Sequence, residues 1–349
     1  MLVWSIAALG MLGAMGWWLA QRRSPEAGPG APASGAQTPQ EQDEAHPMPD
    51  AAALLAARER VNARLWQLAY GAKPAAGALE KSHAEVRVAV VARLQPEKLN
   101  PEFLPRRPTL MQQLLREVSD PGTQADKLSR MIAHDPVLGA DVLRIANSSL
   151  YRVTPEPVES IQRAIVICGV ESMRGILATA MVRPVFKATG RNFPRLPRLL
   201  WERTERAARA AELYAIRTSP QDCFEAQMAV LLRALGPLVV HSAALDAYAQ
   251  RPRLQPDANM LVELTQSMAG SLSARIAQEW DSSPRIVSAL GDHDASALAV
   301  SMMAGEFLGT LSLLVMHAAM TDCDALDLSR EAGLDESLAR EIIARINAV

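Results

Sequence analysis

The chain has 349 residues, 49% of them hydrophobic and 21% charged, with a formal net charge of -2. This is ordinary globular composition, long enough for one large domain or two modest ones. The near-neutral balance gives no whole-protein case for a nucleic-acid partner. Aromatics make up only 4%, while alanine and leucine are abundant. That mix favours helices, because these residues lose least on entering them, and the expected fold class is all-α. Cys168, Cys223 and Cys323 are odd in number and far apart. They speak against a disulfide framework and for thiols in a reducing compartment.

Leu2 to Ala20 is uncharged and apolar, with Trp4 near one end and Trp17 and Trp18 near the other. A spanning helix needs about 20 apolar residues, and tryptophans favour the two membrane interfaces. No basic side chain precedes the run and no clean small-residue cleavage site follows it, two features that a secretory signal normally shows. Residues 1–22 are therefore read as an uncleaved transmembrane anchor, with a cleaved signal or a buried helix as the alternative. Arg22 and Arg23 follow the span, so the rest of the chain is expected in the cytoplasm, at the inner (cytoplasmic) membrane. Residues 23–50 are Pro, Gly, Ala and acid with almost nothing to bury, and are expected to be a disordered linker. Residues 51–98 are a helical lead-in. Leu54, Ala57, Val61, Leu65 and Leu68 recur at three- and four-residue steps on one helix face, and Gly71 to Gly77 breaks it. The stripe is expected to pack on its own domain; a dimerising coil is the alternative, which leaves a homodimer open.

From Pro105 on, helix punctuation is legible. Thr109 with Gln112 forms a capping box, and Asp120-Pro121-Gly122 stops that helix. Thr123 with Asp126 opens the next, carrying Leu128, Met131 and Ile132. Asp135-Pro136 reads as an N-cap followed by proline at the first helical position, where its missing N–H costs nothing. Val137 to Ala146 is apolar nearly all round apart from Asp141 and Arg144, so this helix is buried. Asn147 is expected to end it, in the left-handed conformation that asparagine tolerates. Ser160 starts another helix that Gly169 ends. Many short helices joined by brief loops make a compact orthogonal bundle. In residues 301–349 an apolar run from Phe307 to Met316 is expected to pack on the domain. Gly333 then precedes a last helix, Leu334 to Ile346, that is open to a partner.

Three runs carry a family resemblance: Ile132-Ala-His-Asp135-Pro136-Val-Leu138; Leu143-Arg-Ile-Ala-Asn147-Ser148-Ser149-Leu-Tyr151; and Ser160-Ile161-x-x-Ala164-Ile165-x-x-x-Gly169. Together they resemble the first half of an HDOD domain, the HD-related output domain of bacterial signalling proteins. The second half is more worn and comprises Trp201 with Thr204, the Leu231 to Val240 segment, and Trp280 with Pro284. The resemblance covers residues 99–300. It implies an all-α fold related to the HD-type phosphohydrolases, without their activity, in a regulatory protein joined to other modules.

An HD-type hydrolase needs His and Asp ligands from several helices to hold metals that activate water. The resemblance places that pair at Arg233 and Ala234. Arginine is permanently protonated and alanine has no donor atom, so neither ligates a metal. Around Met268-Ala269-Gly270, where a further histidine is expected, there is again none. The decoys have simpler readings. His134-Asp135 is a helix boundary, Asp292-His293-Asp294 a solvated helix end, and His241 a core or boundary residue. Asp322-x-Asp324-x-x-Asp327 lacks the glycine and glutamate of a calcium loop. Asn147 and the serines after it read as loop architecture. The stretch from Arg183 to Arg217 is locally basic; Arg191, Arg195 and Arg198 are its candidate contacts for an anionic surface, against a solvated helix face as the plain reading. The expected function is a membrane-tethered, non-catalytic cytoplasmic signalling module without cofactor, working by binding protein partners or a nucleotide messenger. The alternative is a metal-dependent phosphohydrolase with an unusual ligand set.

Overall fold

The computed structural model describes residues 49–70, 81–95, 105, 125–133, 135–152, 154–186, 193, 195–291 and 295–347. The anchor expected at 1–22, the capping box at Thr109, and the decoys His134 and Asp292-His293-Asp294 lie outside the described residues. So do Arg191 and nearly all of the 23–50 linker. Among the described residues every regular element is helical.

The element that organises the core is also the most apolar. Residues Ala297–Met316, here α11, form a 20-residue helix buried along almost its whole length. A helix without a polar face has to be surrounded, and Ser296 starts it by accepting a hydrogen bond from the Ala299 amide. Its main neighbour is α6, Leu196–Thr218. The two backbones approach closely because Gly305 faces Ala211 and Gly309 faces Ala207, with no room for a larger side chain between them.

Around this pair the chain is wound in order. The lead-in helix α1, Ala51–Tyr70, lays Leu54, Ala57, Val61 and Leu65 inward against α11. The apolar stripe read from the sequence is thus covered by the chain's own bundle. α2, Lys81–Arg93, packs through Val86 and Val90 on the helix Leu235–Ala249, α8. α3, Ala125–Ala133, and α4, Pro136–Ala146, lie on α5, Ile161–Val182. Then follow α7 (Cys223–Arg233), α8 (Leu235–Ala249), α9 (Ala258–Glu279) and α10 (Pro284–Ala289). α12 (Asp322–Glu331) and α13 (Glu336–Asn347) close the chain. Residues 45–349 make one compact unit. The spans Ile161–Phe186, Pro220–Ala249 and Ala297–Met316 are long and apolar enough to cross a membrane by length and composition. Their burial in the bundle accounts for that apolarity.

Several expectations are corrected. Gly169 does end the helical segment that Ser160 starts, leaving helical geometry at φ 81° and ψ 161°; what the sequence did not announce is that a second segment follows at once and carries α5 on to Val182. Asn147 ends α4 in right-handed geometry, at φ -88° and ψ -2°, because its side chain holds a second segment and needs no left-handed turn. The last two residues of the expected linker are ordered. Pro49 is buried and packs against Gly333, while Asp50 accepts a hydrogen bond from the Ala52 amide. A boundary between residues 300 and 301 would cut α11, whose apolar run is continuous from Ala297. The last helix turns Leu338, Ile342, Ile343 and Ile346 onto the bundle, against α11 and α6, so its apolar face is already covered. Asp324 serves a capping box with Thr321 at the start of α12.

Candidate functional site

The family-motif residues build architecture and do not converge on one place. Asp135 caps α4, its Oδ1 accepting from the amides of Val137 at 2.9 Å and Leu138 at 3.1 Å, with Pro136 in the first turn. Asn147 acts as a clamp: its Nδ2 donates to the carbonyls of Leu143 and Val158, and its Oδ1 accepts from the Val158 amide at 2.7 Å. The Ser148 hydroxyl donates to the Ile145 carbonyl. Tyr151 is buried, its hydroxyl accepting from Gln227 Nε2 at 2.7 Å, with the Arg209 guanidinium 4.6 Å from its ring centre. Arg209 in turn pairs with Glu212 at 2.8 Å. Trp280 ends α9 and donates from Nε1 to the Pro105 carbonyl at 3.1 Å, and Pro284 opens α10 after the Ser283 cap.

Arg233 and the Ala269-Gly270 stretch, singled out by the resemblance, do come together. Arg233 ends α7, and Ala234, buried, joins it to α8. Ser273 of α9 pins this junction, donating from Oγ to the Arg233 carbonyl at 2.8 Å and accepting from the Gly236 amide at 3.2 Å. The approach needs glycine, since a Cβ at 236 would stand 2.1 Å from the Ala269 carbonyl oxygen. Arg233, Ala269 and Gly270 thereby line one cavity of about 450 Å³.

The same cavity is lined by Arg203 of α6, Glu306 of α11, and Arg58 and Glu59 of α1. Glu306 is the single carboxylate of α11 and is held at both oxygens. Arg58 Nη1 donates to Oε2 at 3.0 Å, and Arg203 Nη2 donates to Oε1 at 3.2 Å. Arg203 Nε also donates to the Thr310 hydroxyl at 2.9 Å. These side chains are 10% (Arg58), 9% (Arg203) and 5% (Glu306) exposed. Burial on its own would push the Glu306 carboxyl up, but the charges of Arg203, Arg58 and Arg233 outweigh it and hold the carboxyl down at about 2. Arg233 Nη1 donates to the Leu290 carbonyl at 2.6 Å. Leu65, Trp66, Leu200 and Pro237 supply apolar wall, and Asn62, Thr265 and Gln266 supply neutral polar groups.

Sequence reasoning reached Arg233, Ala234 and the Ala269-Gly270 stretch but missed Glu306, Arg58 and Arg203. One signal was available: a lone glutamate inside a 20-residue apolar helix has to be paired with a cation. The basic stretch from Arg183 to Arg217 does not form one face. Arg203 and Arg209 turn inward to Glu306 and Glu212, Arg206 reaches Ser312 and the Ile346 carbonyl, and Arg183 and Arg217 pair with Asp141 and Glu341. Arg198 pairs with Glu202, one turn on, and Arg195 is exposed at the start of α6.

The donor set does not fit a divalent metal. Among the described residues no group of three or more His, Cys, Asp and Glu side chains gathers in one place. His241 lies away from the cavity, buried beside Tyr70, whose hydroxyl is 3.2 Å from Nε2, and burial pushes its imidazole down to about 4. At the cavity the basic side chains are permanently positive guanidinium groups, which repel a cation.

The profile of the HDOD domain matches residues 104–296. Solved structures are similar over most of their length. An HDOD domain protein of unknown function from Geobacter sulfurreducens is 19% identical, with a TM-score of 0.52, over 76% of this chain and 98% of that one. A Shewanella amazonensis SB2B protein, named provisionally as a metal-dependent phosphohydrolase, is 18% identical, with a TM-score of 0.51, over 76% of this chain and 100% of that one. A second from the same organism, named provisionally as a phosphohydrolase, is 22% identical, with a TM-score of 0.51, over 73% of this chain and 93% of that one. At these identities the likeness concerns the fold. No curated relative matches the chain.

Proposed function

The chain belongs to the HDOD domain family, and from that premise we propose that it is a non-catalytic signalling module, tethered to the cytoplasmic membrane by its apolar first segment and acting by binding. The observation that carries the reading is the replacement at the cavity. The resemblance puts a hydrolase's His-Asp pair at Arg233 and Ala234, neither of which can ligate, and Arg233 lines the same space as the ion network of Arg58, Glu306 and Arg203. A phosphohydrolase mechanism requires a metal to generate hydroxide and to neutralise phosphate charge. Guanidinium groups serve the second purpose and not the first, which leaves a site suited to recognition. The tether rests on the apolar run from Leu2 to Ala20 and the arginines after it.

The test is elemental analysis of the full-length protein, purified in detergent without chelator, alongside phosphate release from nucleotides and simple phosphoesters. The expected result is metal far below one ion per chain and no turnover above a buffer control. Stoichiometric metal with turnover would establish the phosphohydrolase alternative. For topology, a carboxy-terminal reporter active only outside the cytoplasm should stay silent; a strong signal would reverse the assigned orientation.

A further inference from the structure

The cavity has the size, charge and walls of a receptor site, and we propose that it binds a phosphate-bearing small molecule of nucleotide size, clasped between α1 and the rest of the bundle. The inference rests on the reading of this cavity as a recognition site and adds the chemical class of the ligand. Small-molecule sites commonly occupy about 300–1,000 Å³ and combine apolar walls with a few placed polar groups. This cavity, at about 450 Å³, has both. It offers far more room than a bare phosphate fills.

Charge selects the sign of the ligand. Among the described lining residues are three arginines, Arg58, Arg203 and Arg233, against two glutamates, Glu59 and Glu306. Glu59 is exposed, so the inner part of the cavity is the more positive. Guanidinium groups match phosphate oxygens with paired N–H donors. Two of them are already positioned: Glu306 fixes Arg203, and the Leu290 carbonyl fixes Arg233. Arg203 commits two of its five N–H donors, to Glu306 and Thr310. A ligand therefore meets ordered donors and bears little of the ordering cost. The rest of the molecule would lie on Leu200 and Pro237, with Asn62 and Gln266 offering amide donors and acceptors.

The location adds a consequence. Leu55, Arg58, Glu59, Asn62, Leu65 and Trp66 come from α1, the first described helix after the linker, while the rest of the lining comes from later helices of the bundle. A bound ligand would touch both and strengthen the docking of α1. Occupancy would then be felt at the helix that follows the expected linker in the sequence.

The experiment uses the full-length protein in detergent micelles and follows its melting and heat of binding with AMP, GMP, cyclic AMP, inorganic phosphate and citrate, each at 1 mM. A nucleotide is expected to raise the melting temperature, while phosphate and citrate at the same concentration do not. Arg233→Gln is expected to weaken binding about tenfold or more, the scale of one charge-assisted contact. Asn62→Phe, which blocks the cavity from α1 without removing a charge, should abolish binding, and it decides the matter if Arg233→Gln fails to fold. Arg340→Gln, on an exposed face of α13, should bind as the parent does. The proposal is overturned if no nucleotide shifts melting, if phosphate or citrate alone does, or if a nucleotide binds equally well to both cavity variants. Failure here leaves the non-catalytic reading standing. Binding followed by release of phosphate would keep the site and overturn that reading.

Discussion

Replacing Glu306 with glutamine tests the ion network with the least change of shape. The carboxyl lies at about 2 in the folded protein, against an ordinary 4.5, because the neighbouring guanidinium charges favour its ionised form. That difference corresponds to ~3 kcal/mol of folding free energy, at 1.4 kcal/mol per tenfold. Removing one partner of a buried ion pair typically costs about 3–5 kcal/mol, since the other charge is stranded, and here two arginines lose their shared acceptor. Glu306→Gln should therefore destabilise residues 45–349 by ~3 kcal/mol at pH 7, read from urea unfolding. The sign of the pH dependence follows from the depressed carboxyl. Its contribution is whole above about pH 4.5 and fades as pH falls towards 2, so at pH 3 only ~1.4 kcal/mol should separate parent and variant. A variant within 0.5 kcal/mol of the parent at pH 7, or a gap that stays constant down to pH 3, would refute the assignment of charge to this triad.

Three further outcomes are expected. Gly236→Ala drives a Cβ into the Ala269 carbonyl and should destabilise the fold by about 1–3 kcal/mol or more in urea unfolding; a neutral result would show that the α8–α9 approach is looser than described. Asn147→Ala removes two hydrogen bonds between the end of α4 and Val158 and a third to the Leu143 carbonyl and should cost ~2–3 kcal/mol, visible as a lowered urea midpoint. His241, held down at about 4 by burial, binds its proton first in the unfolded chain. Stability should therefore fall as pH drops from 6.5 towards 4, by ~3 kcal/mol in all, and His241→Phe should flatten that slope. An imidazole midpoint near 6.5 in an NMR titration would contradict this.

The fold was legible where local rules act alone. Asp135-Pro136 and Ser160 announce helix starts through chemistry that needs no tertiary partner, and the stripe from Leu54 to Leu65 states which face turns inward. The site was half legible. The residues that cannot ligate, Arg233 and Ala234, are visible by position. The charged residues that share the cavity come from three helices separated by more than a hundred positions, and only folding brings Arg58, Arg203 and Glu306 together. The basic stretch failed for the same reason. Arg198, Arg203, Arg206 and Arg209 look like one class in sequence, yet the roll of α6 sends Arg203 and Arg209 inward and leaves Arg198 outside.

A buried ion network is a poor choice if stability is all that a fold requires. Taking two guanidinium groups and a carboxylate out of water costs several kcal/mol per ion, and well-packed apolar side chains of similar volume often do as well or better. α11 shows that this chain uses the apolar solution freely, since every other position near Glu306 is small or hydrophobic. The network therefore has its explanation in the cavity it borders. A metal-holding cavity needs a negative lining; this one carries more guanidinium than carboxylate among its described residues. An excess of guanidinium over carboxylate makes it a better place for an anion than for a cation. Because Arg58 enters from α1, an anion held there would touch α1 as well as the helices packed against it.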